Sequence, residues 1–354
     1  MSEPLVWLLL GSKAGDNTQV RALAVELGWP AEEKRLSARS WELLTHLLPG
    51  VTLAGIDRSA SSPLGAPWPD LVISAGRRNE PVARWIRARS GGHSQLVHIG
   101  RPWAHPRHYG LVVTTPQYLL SRQANIQLNR LPLYRLPGEQ LRDAVASLQP
   151  HLEELPRPFT VLLVGGNSGP YVFTPAKARN LGQRVQQLVA GKGGSLLISN
   201  SARTPPAAWR ALLAQITAPR FTHDCRDTGA ANPYLGFLGI GERFIVTGES
   251  VSMLAEAGAM GKPLHIFDMD DHPGPWWRYL HNYRYRPLSH RLAMVLAPRR
   301  MRRDVRRIVG ALLEARLALW LGQDESASLA LEKHSNVELL ETAGRVRELL
   351  RRRC

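Results

Sequence analysis

Short, uninterrupted apolar runs alternate along most of the chain with segments whose apolar residues recur every three to four positions. The predicted strands are residues 5–10, 33–36, 71–75, 95–99, 111–115, 160–164, 195–199, 221–225, 244–246 and 264–267. The predicted helices are residues 18–27, 40–48, 79–88, 139–148, 175–189, 207–216, 251–260, 299–320 and 337–350. Strands rich in Val, Ile and Leu without polar alternation are buried on both faces, so the pattern predicts an α/β protein with parallel sheets covered by helices.

A change in composition divides this pattern into two halves. Residues 135–158 are polar and carry prolines at positions 137, 150, 156 and 158 around one helix, as at a domain junction. We therefore predict an amino-terminal domain at residues 1–150 and a carboxyl-terminal domain at residues 157–275. The remaining residues, 276–354, are predicted to form a basic helical tail.

Composition indicates the cellular compartment of the chain and the class of its binding partners. The 354 residues include 44% hydrophobic ones, which is enough for two cores, and only two cysteines, which favours a reducing, cytoplasmic compartment. The first ten residues have no basic segment and only a short apolar run, so no secretory signal is expected. A net charge of +16 favours polyanionic partners, but nucleic acid is not expected because RNA- and DNA-binding motifs are absent from the sequence.

The basic tail has two interpretations. Residues 299–320 place an apolar stripe opposite four arginines, so this helix either lies on an anionic membrane surface or packs on a core with a solvated basic face. We favour the packed helix, and keep the membrane as a candidate partner. An aromatic cluster at residues 276–285 is interpreted as a domain interface in preference to a surface that stacks a base or a sugar.

In the amino-terminal half, candidate chemistry follows two predicted strands. The loop after the first strand carries Lys13, Asp16 and Asn17 but matches neither a P-loop nor a dinucleotide fingerprint. Asp16 is a candidate general base, and the alternative is a helix cap. Arg77 and Arg78 follow the strand at residues 71–75, where they either line a cleft and meet an anionic ligand or are surface charge.

In the carboxyl-terminal half, hydroxyl groups and charges converge where strands end. The turn at residues 247–252 precedes a helix whose unpaired N–H groups and dipole favour a phosphate. The alternative is an ordinary capped helix. We predict that these residues bind a nucleotide-activated donor: Ser201, Arg203, Thr204, Asn232, Tyr234, Glu249, Ser250, Ser252 and Glu256.

No metal site or tightly bound cofactor is predicted. Residues 268–271 resemble the Asp-x-Asp clamp of some sugar transferases, but a solvated loop explains them better. The three residues 223–225 lie along one predicted strand, so their side chains alternate between faces and do not converge on an ion.

Several motifs together resemble a known family. The pattern of Glu256, Gly261 and Pro263 after a strand and turn resembles the carboxyl-half signature of GT-B glycosyltransferases and related nucleotide-sugar enzymes. A larger set, spread over residues 5–267, resembles the elongated-mitochondria (ELM) fission family. Its members are Gly11-Ser-Lys-Ala-Gly-Asp-Asn17, Asp70-Leu-Val-Ile-Ser-Ala-Gly-Arg-Arg78, His98-Ile-Gly-Arg-Pro102, Val113-Thr-Thr-Pro-Gln-Tyr118, Ser201-Ala-Arg-Thr204 and Thr247-Gly-Glu-Ser-Val-Ser-Met253.

The resemblance implies two Rossmann-like domains facing a cleft, with the donor on the second and the acceptor on the first, as in GT-B enzymes. It implies a glycosyltransferase that moves a sugar from a nucleotide-activated donor to a membrane-associated glycan or lipid acceptor, with the lipopolysaccharide core as one candidate. In this picture Glu256 binds the donor ribose, Asp16 is the catalytic base, and Lys13, Asn17, Arg77 and Arg78 lie on the acceptor side. No metal is needed, and the protein is cytoplasmic and peripheral at the inner face of the membrane.

Two alternatives stay open. One is a nucleotide-sugar epimerase on the same fold. The other is a non-catalytic scaffold that binds membrane or protein, because the plant branch of the family recruits a fission protein. Stereochemistry is not predicted, because Glu249 and Glu256 are seven residues apart, whereas retaining GT-B enzymes often have two glutamates eight apart.

Overall fold

The computed structural model describes residues 3–41, 51–169, 171–227, 229, 231–269, 296, 302–323 and 334–352. The strands are β1 (Val6–Leu10), β2 (Ala31–Arg35), β3 (Leu71–Ala75), β4 (Gln95–Ile99), β5 (Leu111–Thr114), β6 (Ile126–Leu128), β7 (Phe159–Val164), β8 (Ser195–Asn200), β9 (Arg220–His223), β10 (Arg243–Thr247), β11 (Leu264–Phe267) and β12 (Leu319–Trp320). The α-helices are α1 (Ala14–Leu27), α2 (Gly76–Arg89), α3 (Gly138–Leu148), α4 (Pro175–Lys192), α5 (Pro206–Leu213), α6 (Tyr234–Ile240), α7 (Val251–Ala259), α8 (Arg306–Glu314) and α9 (His334–Arg351). Nearly all of the helix predicted at residues 40–48 and the aromatic cluster at 276–285 lie outside the described residues.

The chain forms two units, each built on one parallel sheet. In the amino-terminal unit the strand order is β2-β1-β3-β4-β5-β6, with every pair parallel. Residues of β1 are buried on both faces: Val6, Leu8 and Leu10 join the core cluster that contains α1, while Trp7 and Leu9 join the cluster that contains α2. This two-sided burial explains why the strand is apolar at every position.

In the carboxyl-terminal unit the strand order is β12-β11-β10-β7-β8-β9, again all parallel. Counted from β7, this is the 3-2-1-4-5-6 order of a Rossmann fold. The prediction of an α/β protein with two Rossmann-like domains is therefore confirmed. The two topologies also locate a switch point in each sheet, between β1 and β3 in the first and between β7 and β10 in the second.

The division of the chain differs from the predicted boundaries at 150 and 276. The amino-terminal unit contains residues 1–135, 298–304 and 335–354, and the carboxyl-terminal unit contains residues 136–297 and 305–334. Helix α3 belongs to the second unit because it packs closely on α6. Helix α9, predicted as part of a separate tail, buries Leu339, Ala343 and Val346 in the amino-terminal core.

The helix predicted over residues 299–320 was too long. Helix α8 covers Arg306–Glu314, and Arg316 then takes a left-handed conformation, with φ of 54°, that ends it. Leu319 and Trp320 form β12, because the edge of β11 offers backbone partners to this apolar segment. The apolar face of α8, including Ile308 and Leu312, is buried, which favours the packed helix over one lying on lipid.

Candidate functional site

The carboxyl-side candidate site lies at the switch point between β7 and β10. The loop that leaves β7 begins with Gly165 and Gly166, whose amides face the turn that follows β10. Gly165 N donates to Thr247 Oγ1 over 2.8 Å, and Gly166 N donates to Glu249 Oε1 over 2.5 Å. Side chains of one strand-end loop thus fix the backbone of the neighbouring loop.

The loop after β8 completes this arrangement. The hydroxyl groups of Ser201 and Thr204 both donate to the carbonyl oxygen of Gly165, Thr204 over 3.0 Å. At Gly166, where φ is 117°, a Cβ would come within 2.6 Å of the backbone nitrogen of Thr204. Only glycine permits both this conformation and this close approach of two loops.

Arg203 places its guanidinium group at the start of helix α7. Its Nη1 donates to the carbonyl oxygen of Asn167 over 3.0 Å, and its Nη2 lies 3.4 Å from Ser250 Oγ. Ser250 precedes α7, and its side chain makes no capping hydrogen bond to the helix. A fixed positive charge therefore stands beside the positive end of a helix dipole, which is an arrangement suited to a phosphate.

Glu249 supports this loop from the interior. Its side chain is buried, with the residue 3% exposed, and Oε1 also accepts from Thr247 Oγ1 at 3.2 Å. Burial raises the pKa of Glu249, and the nearby guanidinium of Arg203 opposes that rise. The Glu249 carboxylate thus holds the Gly166 amide in place, and its predicted role in donor binding stays a prediction.

A second group on the same unit joins helices α6 and α7. The hydroxyl of Tyr234 donates to Glu256 Oε2, and the backbone amide of Tyr234 donates to Asn232 Oδ1 over 3.0 Å. Burial raises the pKa of Glu256, and the hydrogen bond from Tyr234 opposes that rise. Ser252 is exposed on the first turn of α7.

The structure thus brings together five of the predicted donor residues and joins two more as a separate pair. The five are Ser201, Arg203, Thr204, Glu249 and Ser250. The pair is Tyr234 with Glu256. Gly165, Gly166, Asn167 and Thr247 were not among the predicted site residues, although a Gly-Gly pair directly after an apolar strand is a usable signal for a close backbone approach.

The amino-side candidate site lies at the other switch point, between β1 and β3. Asp16 lies against the start of α2, where φ of Gly76 is 72° and a Cβ would overlap Asp16 Oδ2. Burial raises the pKa of Asp16, while the positive charges of Lys13, Arg303 and Arg77 oppose that rise. A carboxylate with a raised pKa is a stronger base than a solvated aspartate.

The other predicted residues of this site have defined contacts. Asn17 accepts from Gly11 N at 3.0 Å and donates to Gly11 O at 2.8 Å, so its side chain closes the loop after β1. Arg77 stacks on the ring of Trp103 at 5.1 Å, and Arg78 donates to Ser12 Oγ over 3.3 Å. Arg303 was not predicted here, because it is distant in sequence and no local pattern connects it to the first strand.

Neither a metal centre nor a membrane span is found in the part of the chain that the structure describes. No group of three His, Cys, Asp or Glu side chains there is close enough to hold an ion. None of its helices combines the length and the apolar character needed to cross a bilayer.

Comparisons with known proteins place these features in a family. The sequence model described as mitochondrial fission ELM1 matches residues 14–301. Mitochondrial fission protein ELM1 of Arabidopsis thaliana is 25% identical over 57% of this chain, and the match spans about half of that relative, 52%. Uncharacterized protein RP120 of Rickettsia prowazekii is 25% identical over 74% of this chain and 82% of its own length. The crystal structure of the glycosyltransferase of kitacinnamycin covers 99% of this chain and 100% of its own, with 10% identity and a TM-score of 0.49.

Proposed function

The chain belongs to the mitochondrial fission ELM1 family, and from the geometry of its carboxyl-side site we propose that it is a glycosyltransferase. It moves a sugar from a nucleotide-activated donor to a membrane-associated glycan or lipid acceptor, and the lipopolysaccharide core is the acceptor we would test first. The observation that carries this proposal is the contact of Arg203 with Ser250 at the start of α7, at the switch point of a Rossmann-order sheet.

The donor's diphosphate is proposed to lie at this helix start. The first N–H groups of α7, the guanidinium of Arg203 and the hydroxyl of Ser250 are positioned before any ligand arrives, because neighbouring loops hold them. Fixed donors of this kind stabilise negative charge as it develops on the leaving diphosphate, and they do so without reorganisation. The positive field of an arginine and a helix dipole supports a mechanism that does not depend on a metal.

Two further carboxylates are proposed to contact the donor's ribose and the acceptor. Glu256, held by Tyr234, is proposed to accept hydrogen bonds from the ribose hydroxyl groups. Asp16 is proposed to take the proton of the acceptor hydroxyl, a role supported by the burial that raises its pKa. General base catalysis of this kind contributes typically ~10²–10⁴ in rate.

Nucleotide binding tests the donor half of the proposal. UDP, GDP, ADP and CDP are titrated calorimetrically into wild type, Arg203→Ala and, as a matched control, Arg210→Ala on the exposed face of α5. We expect one nucleoside diphosphate to bind and Arg203→Ala to weaken it about 10- to 100-fold, since a hydrogen bond to a charged group is worth ~1.5–3 kcal/mol. Equal affinities for wild type and Arg203→Ala would show that the phosphate site is misplaced.

A scaffold without catalysis is the second candidate, and it is favoured by the similarity to the Arabidopsis relative, which is named a mitochondrial fission protein. We propose that such a scaffold binds anionic membrane through exposed arginines, of which Arg306 and Arg307 on α8 are examples. Co-sedimentation of the full chain with phosphatidylglycerol vesicles, compared with Arg306→Gln/Arg307→Gln, tests this. Lipid binding together with no transfer from any of a panel of nucleotide sugars would favour the scaffold over the enzyme.

A further inference from the structure

A cavity of about 430 Å³ lies in the amino-terminal unit, beside the carboxyl ends of β1 and β2. Its volume falls within the range of ~300–1,000 Å³ that small-molecule sites occupy. The mechanism proposed for Asp16 does not use it, since Asp16 is not among its lining residues.

Three arginines from three different elements line this cavity: Arg21 on α1, Arg35 on β2 and Arg78 on α2. Among the described residues, no Asp or Glu lines the cavity. Glu33 pairs with Arg21, with the closest atoms 2.7 Å apart, and lies 3.8 Å from Arg35. The described lining residues therefore carry a net positive charge, and Glu33 is a carboxylate beside two of the three arginines.

The wall is also held in place. Arg78 is positioned by its hydrogen bond to Ser12 Oγ, and the loop that carries Ser12 is closed by the paired hydrogen bonds between Asn17 and Gly11. Leu10, Leu36, Ala38 and Ala60 contribute apolar surface beside these polar groups. Such a wall combines one positioned guanidinium group, that of Arg78, and further positive charge with an apolar face against which a sugar ring can pack.

We propose that this cavity binds an acidic sugar, one that carries a phosphate or a carboxylate, as the acidic part of the glycan acceptor. The guanidinium fork matches the geometry of both oxyanions, and like charges that converge on one cavity are stabilised when an anion enters. The volume is larger than an isolated phosphate requires, which favours a sugar bearing the oxyanion. Naming the ligand an acceptor rests on the proposed function, whereas its acidic character rests on the cavity alone.

Calorimetric titration of the full chain tests this inference. Glucose 6-phosphate and glucuronate are the two acidic probes, which distinguish phosphate from carboxylate, and glucose is the neutral control. Each is titrated with and without UDP. The variants are Arg78→Gln and Arg35→Gln. The Arg35 side chain is 78% exposed, so its substitution should not disturb folding. The matched control is Arg89→Gln, exposed at the far end of α2 and outside the cavity.

At least one acidic probe should bind more tightly than glucose and more weakly as salt is raised. Arg78→Gln should weaken it about 10- to 100-fold, Arg35→Gln less, and Arg89→Gln should leave it unchanged. Equal binding of glucose and the acids, no binding of either acid, or full affinity in Arg78→Gln would overturn the inference. Titrations of UDP, GDP, ADP and CDP into the same samples report on the donor site separately. Acid binding without binding of any of these four would remove the proposed function and leave the acidic-sugar site standing.

Discussion

Gly165 is the position at which the carboxyl-side site is most sensitive to one added methyl group. A Cβ at Gly165 would overlap Glu249 Oε1 and lie 2.7 Å from Ser250 Cβ. Both of these residues are buried, so neither side chain has room to move aside. We therefore expect Gly165→Ala to displace the Glu249 carboxylate from the Gly166 amide.

The size of the effect follows from these contacts. Overpacking of a buried site costs about 1–3 kcal/mol, and a buried amide left unpaired costs a further ~1–3 kcal/mol, which together give about 2–6 kcal/mol. The control is Gly310→Ala in α8, where a Cβ would meet nothing within 4 Å. There alanine should stabilise the helix by roughly 0.5–1 kcal/mol.

Urea denaturation of the full chain followed by circular dichroism measures these changes, and hydrogen exchange at β7, β8 and β10 localises them to the carboxyl-terminal unit. In the double variant Gly165→Ala/Glu249→Ala the added methyl group no longer meets the carboxylate. The double variant should therefore lose less free energy of unfolding than the sum of the losses of the two single variants, by at least about 1 kcal/mol. Stability of Gly165→Ala within ~0.5 kcal/mol of wild type would refute the close packing of these loops.

Three further predictions concern buried groups. Because burial raises the pKa of Glu249, its contribution to stability is complete below its ordinary value of 4.5 and is lost as pH rises through the folded value. Wild type should therefore lose stability relative to Glu249→Gln as pH rises above 4.5 in denaturation measurements, and a difference independent of pH would contradict this. Tyr234→Phe should raise the pKa of Glu256 in an NMR titration, because it removes the hydrogen bond that lowers it, and an unmoved pKa would exclude that bond. Leu339 is 2% exposed, so Leu339→Ala should lower the free energy of unfolding by about 2–5 kcal/mol, whereas Leu340→Ala, at a residue 54% exposed, should change it by no more than ~0.5 kcal/mol. Similar shifts of the thermal midpoint for the two variants would mean that α9 is not packed in the core.

Local sequence pattern was sufficient for most elements of this protein. The apolar runs at β1, β3, β7 and β8 and the helical period of α7 identify these segments, because burial on both faces or on one face leaves a direct periodicity. The loops at strand ends were identified for the same reason. The helix over residues 299–320 was predicted too long because the pairing of β12 with β11 is a non-local contact that competes with helix propensity.

The candidate site was predictable in its residue types but not in its orientation. Ser201, Arg203 and Ser250 follow from hydroxyl groups and charge placed after strands. The inward position of Glu249 does not, since it depends on a glycine amide that lies 83 residues away in the chain. The meeting of the three arginines at the cavity was not predictable from the sequence either, because they lie on three different elements, α1, β2 and α2.

The sequence by itself therefore determined which segments are strands and helices, and which loops carry hydroxyl groups and arginines. Only the tertiary structure decided which of these loops meet, that α9 completes the amino-terminal core, and that Glu249 supports the site from within. The physical reason is that periodicity records the environment of each residue along its own element, whereas strand order is set by packing between elements far apart in sequence.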